Sequence, residues 1–195
     1  MAEGAEAEYR ALVGDLAGLV RLAHAALRGV TAVLAGPEAG HEGIAAAEKA
    51  LAELRERIEE DAARAPGGQT GLVLAVHVGC QVEALGQIAQ RLLEAAWARQ
   101  EREPFDRRLR TPLNGLAHTA LALVGQAADA LETPAPEDEA DARALLAEVE
   151  RRQHQLYALL RGPDGTADAV DVADLVLLSC CYRQCAGLAV AITGG

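Results

Sequence analysis

The residues of this chain whose types and spacing could do chemistry point to metal ligation. Glu150 and His154 stand one helical turn apart. A carboxylate and an imidazole at that spacing share a helix face and could reach one ion. The alternative is a helix-face ion pair or two solvated side chains. His77, Cys80 and Glu83 lie on successive turns and offer three zinc-type ligands. Their other reading is a satisfied core histidine beside a packing cysteine. Cys181 and Cys185 also share a face, but a closed soft-metal site needs a second pair, and none matches. The Glu150/His154 spacing differs from the Glu-x-x-His of di-iron carboxylate bundles. His118 has no basic neighbours to support phosphoryl transfer. No glycine-rich phosphate loop, Ser/His/Asp set or paired general acid and base is present. The expectation is therefore a protein that is not an enzyme.

Composition narrows the partners. The chain has 195 residues and a formal net charge of −11. Lys49 is its single lysine, and aromatics make up 3% of it. Non-specific binding to nucleic acid or to an anionic membrane is disfavoured. The N-terminal MAEGAEAEYR is acidic where a signal peptide is basic and then apolar. No continuous apolar run reaches about 18 residues, so a soluble, cytoplasmic protein without membrane insertion is expected. The four cysteines, Cys80, Cys180, Cys181 and Cys185, read as small buried hydrophobes.

The elements that must position these residues are helices. Leu12, Leu16, Leu19, Val20, Ala23, Leu27 and Val30 recur at steps of three and four, predicting a helix over 5–34 that Gly36-Pro37 ends. Ile44, Ala47, Leu51, Leu54 and Ile58 predict a second over 41–64, with its other faces charged and solvated. The third, over 69–100, is apolar almost all round from Leu72 to Val82, the pattern of a helix buried among helices. Gly79 and Gly86 lie two turns apart on it, where a neighbouring backbone could come close. Glu103-Pro104-Phe105 marks a joint. A fourth helix runs to about 131, with Thr111-Pro112 either starting it or kinking it. A fifth covers 137–160 and opens on acidic residues at its positive dipole end. The sixth covers about 168–192 and echoes the third: each follows a Pro/Gly loop, Pro66-Gly67-Gly68 or Gly162-Pro163-Asp164-Gly165. These two should be the most buried helices, with Val76, Leu85, Ile88, Leu175, Leu178 and Cys181 in the core.

A three-plus-three layout with these motifs resembles the phosphate-uptake regulator (PhoU) family. The third helix of each repeat in that family carries a motif of the form Glu-Arg-Ile-Gly-Asp. Val82-Glu83-Ala84-Leu85-Gly86-Gln87 matches it at the glutamate, the apolar position and the glycine. In the second half, Cys181-Tyr182-Arg183-Gln184-Cys185-Ala186 keeps the arginine and a small residue. The family's second helices carry a pattern like Asp-x-x-Ile-Asp-x-Leu. Glu48-x-x-Leu51-Ala52-x-Leu54 and Glu150-x-x-Gln153-His154-x-Leu156 follow it with one acid each. The resemblance covers essentially the whole chain.

It implies an all-α fold of two tandem three-helix repeats forming a six-helix bundle, over 1–102 and 103–195. It implies a regulator of phosphate uptake and phosphate-responsive signalling that contacts a phosphate transporter component or a sensor kinase, and a homodimer. The family's acidic motifs also imply a divalent or ferric ion, for which this chain retains Glu150, His154, Glu83 and Glu48. The other four positions are Ala52, Gln87, Tyr182 and Ala186. Hard cations need several oxygen ligands, so no resident metal or cofactor is expected, and any ion should sit weakly at Glu150/His154. Two alternatives stand beside this reading: a metal-binding helical bundle using Glu150, His154 and Glu83, and a dimerising helical scaffold.

Overall fold

Apolar residues at helical spacing become six helices in the computed structural model, which describes residues 2–35, 40–62, 69–99, 102–162 and 168–194. They are α1 (Ala2–Ala35), α2 (Gly40–Ala62), α3 (Gln69–Arg99), α4 (Arg107–Glu132), α5 (Asp138–Leu160) and α6 (Ala169–Thr193). Among the described residues there is no strand. The Gly36-Pro37 and Pro66-Gly67-Gly68 breaks lie outside the described residues, as does the loop after Gly162.

The predicted stripes form the core. Leu16, Leu19, Val20, Ala23, Leu27 and Val30 of α1 are buried, as are Ile44, Ala47, Leu51 and Leu54 of α2. α1 and α4 are the two central helices. They pack on each other, α1 also against α2 and α3, and α4 also against α5 and α6. α2 meets α3, α5 meets α6, and α3 and α6 lie together. These last two run antiparallel: His77 near the start of α3 reaches Ala191 near the end of α6, and Arg99 reaches Asp171.

Helix starts follow local chemistry. Asp106 caps α4 by accepting from the Arg108 amide at 2.7 Å, so α4 begins before Thr111 and Pro112 falls inside it. Pro112 is thus the sixth residue of α4, past the first turn, so it has no N–H to offer the Arg108 carbonyl, and the helix continues through that lost hydrogen bond. Asp168 caps α6 by accepting from the Asp171 amide at 2.7 Å.

Two expectations about burial are corrected. α3 is not buried all round: Leu72, Val73 and Val76 are 49%, 65% and 58% exposed. Its inward side is Val78, Val82, Leu85, Ile88, Ala89, Leu92 and Leu93, one continuous stripe. α3 lies at the edge of the bundle, touching α1, α2 and α6, and among the described residues no element packs on the N-terminal part of its outer face. It is therefore not among the most buried helices, whereas α6, with nine buried residues, is among them as expected, alongside α4. Leu85, Ile88, Leu175, Leu178 and Cys181 are buried as expected. Gly79 has open space beside it, whereas a Cβ at Gly86 would stand 3.2 Å from Leu54 of α2. The tightest backbone approach is elsewhere, between α1 and α2, where a Cβ at Gly29 would lie 2.8 Å from the Gly43 carbonyl oxygen.

Among the described residues, three helical segments are long and apolar enough on average to cross a membrane: Glu6–Ala35, Gly71–Arg99 and Ala169–Thr193. In the bundle half of the first and third windows is buried, but only 28% of the α3 window.

Candidate functional site

Glu150 and His154 lie on α5, one turn apart as read from the sequence. His154 is exposed, and its Nδ1 lies 2.9 Å from the backbone carbonyl oxygen of Glu150. The Glu150 carboxylate instead faces α6, where Arg183 Nη1 donates to it at 3.5 Å. The pair is thus divided between a backbone contact and an inter-helix ion pair. Exposed pairs of this kind contribute about 0–1 kcal/mol.

On α3, Glu83 is exposed and accepts from Gln87 Nε2 at 3.5 Å. Glu48 is exposed on α2. His77 points away from Cys80 and Glu83 toward α6, with Nε2 2.9 Å from the Ala191 carbonyl oxygen. Cys80 is exposed, contrary to the reading of all four cysteines as buried. Cys181 and Cys185 are buried, and burial pushes both thiols up, which keeps them protonated at neutral pH. His118 is exposed, with Nδ1 2.7 Å from the Asn114 carbonyl oxygen. Among the described residues no three His, Cys, Asp or Glu side chains come together as a metal site. Elemental analysis after chelator dialysis and re-addition of zinc or iron should accordingly find no stoichiometric ion retained through gel filtration. A multi-ion load would show that other residues ligate.

Glu83 and Gln87 do border a groove of about 470 Å³ between α2 and α3. Leu51, Leu54 and Ile58 form its apolar side, and Arg55, Gln90 and Arg91 its polar rim. Arg55 donates to Gln90 at 3.1 Å across it.

Two polar clusters were not found by sequence reasoning. Gln153, Tyr157, Ser179 and Cys180 meet between α5 and α6. Gln153 Nε2 donates to the Tyr157 hydroxyl at 3.0 Å. The Ser179 hydroxyl donates to the Val176 carbonyl at 2.9 Å, so it accepts from Tyr157 at 3.1 Å. Burial, then the Cys180 sulfur 3.4 Å away, pushes the Tyr157 phenol up. With the serine proton committed to a carbonyl, these hydrogen bonds tie α5 to α6. The available signal was a glutamine and a tyrosine four residues apart on the apolar side of α5.

The second cluster joins the end of α3 to the start of α6. Arg99, its side chain 8% exposed, donates to Asp171 at 2.9 Å and to Asp174 at 2.6 Å. Its guanidinium sits 3.5 Å from the centre of the Phe105 ring. Arg102 reaches Asp168 and Asp171, each at 3.2 Å. The three aspartates occupy the first turns of α6, where its dipole favours negative charge.

No protein-family model, curated protein or solved structure matches this chain.

Proposed function

We propose that the chain is two tandem three-helix repeats working as a PhoU-like accessory regulator of phosphate uptake and phosphate-responsive signalling through protein–protein contacts. Two features support the repeat reading: each set of three consecutive helices packs within itself, and the sets meet through their first helices and their third helices. The observation that carries the function is the outer face of α3. Leu72, Val73 and Val76 present branched apolar side chains to solvent, with Cys80 also exposed. Grouped exposed apolar residues are the usual mark of an interaction surface. A regulator of this kind works by occupying a partner, without bond-making chemistry. Its partner is a phosphate transporter component or a sensor kinase, met at the cytoplasmic side, and the regulator is a homodimer. Capture of the tagged full chain from cells grown at low and at high phosphate tests the reading, with a transporter subunit or kinase expected in the eluate.

A further inference from the structure

We infer that the groove between α3 and α6 is a binding site for a small phosphate monoester with an apolar body. The groove holds about 420 Å³, within the usual range for small-molecule pockets. Arg91 and Gln87 line it from α3, and Arg183 and Gln184 from α6. Ile88 and Leu188 contribute apolar surface between these polar groups. No lining residue is acidic, although the chain carries a net charge of −11. The lining itself is therefore cationic, with Glu150 and Glu83 at its margin beside Arg183 and Gln87.

The ligand class follows from the donors. Two guanidiniums on facing helices can straddle one anion, each offering paired N–H groups to oxygen. The Gln184 carboxamide adds a neutral donor, and Gln87 a second if it releases Glu83, to which its Nε2 donates at 3.5 Å. A carboxylate has one charge and two oxygens to offer them. A phosphate monoester has up to two charges and three terminal oxygens, and matches the donor set better. The apolar surface asks for a body beyond the phosphate itself. Among the described residues Arg91 has no carboxylate partner. Arg183 has only Glu150, at the outer limit of hydrogen bonding, 3.5 Å. Glu150 thus competes with the anion for Arg183 and sets how tightly it is held. Arg91 also borders the α2–α3 groove, where Arg55 adds a third guanidinium.

Calorimetric titration of the full chain with phenyl phosphate, inorganic phosphate, benzoate and a hexaglutamate peptide tests this. Phenyl phosphate should saturate one site and bind at least about tenfold more tightly than the other three. Arg91→Gln and Arg183→Gln should each weaken it about tenfold or more, with circular dichroism unchanged because both side chains are exposed. Glu150→Gln should tighten it. Absence of saturation, unchanged affinity in Arg91→Gln, or benzoate or hexaglutamate binding as tightly would overturn the assignment. Partner capture through the α3 outer face is a separate readout, so either result can fail alone.

Discussion

Leu85→Ala is expected to destabilise the protein by about 2–5 kcal/mol, the range for truncating a fully buried leucine. Leu85 is 0% exposed and belongs to the inward stripe of α3. Truncation removes the transfer free energy of the lost carbons and leaves a void that neighbouring helices only partly fill. A position about two and a half turns earlier on the same helix makes the control. Val76 is 58% exposed on the opposite side, and Val76→Ala should change stability by less than about 0.5 kcal/mol. Urea unfolding of both variants reads the two values. Equal losses would show that α3 is buried all round, as its sequence suggests.

Arg99→Met should cost about 2–3 kcal/mol, below the range for a wholly buried pair because its carboxylates are about a quarter exposed. Methionine fills part of the space but leaves Asp171 and Asp174 to share Arg102 alone, at 3.2 and 3.7 Å. It also removes the guanidinium from the Phe105 ring. The same cluster sets an acid limit. The Asp171 amide, then Arg102 and the Val170 amide, hold the Asp168 carboxyl below the usual carboxylate range. A group with a depressed folded pKa contributes its stability in full above its unfolded value, near 4. That contribution is lost as pH falls through the folded value. Thermal unfolding should therefore show stability declining below about pH 4, with a shallower decline in Asp168→Asn. A flat profile there would count against the cap.

The helices were legible because their apolar residues recur at helical steps and their breaks fall at proline and glycine. The start of α4 was legible only as two alternatives, Thr111-Pro112 or a point near Asp106, because a capping aspartate acts through one hydrogen bond that the sequence does not show; the structure takes the second. The exposed side of α3 was hidden for a different reason. A segment apolar on every side has no contrast from which periodicity can choose the inward face. α6 is equally apolar, also meets three helices and also exposes apolar side chains at Val176 and Leu177, yet its expected core positions Leu175, Leu178 and Cys181 are all buried. Only the arrangement of neighbours, which puts α3 at an edge, separates the two. The site residues fared similarly. The turn spacing of Glu150 and His154 could be read directly, but the ion pair to Arg183 joins residues 33 apart in sequence. The Arg99 cluster links positions 72 and 75 apart, beyond any local pattern.

The claim that this chain regulates by occupying a phosphate transporter component or sensor kinase is tested most directly by quantitative capture with the wild-type chain and Val76→Glu. Val76 is solvent-facing, so a glutamate there leaves the core intact while placing a charge in the apolar face. A transporter subunit or kinase should co-purify with the wild-type chain in an amount that differs between low and high phosphate, and Val76→Glu, equally folded, should lose it. Recovery of no such protein at either phosphate level, or equal recovery with Val76→Glu, would contradict the account.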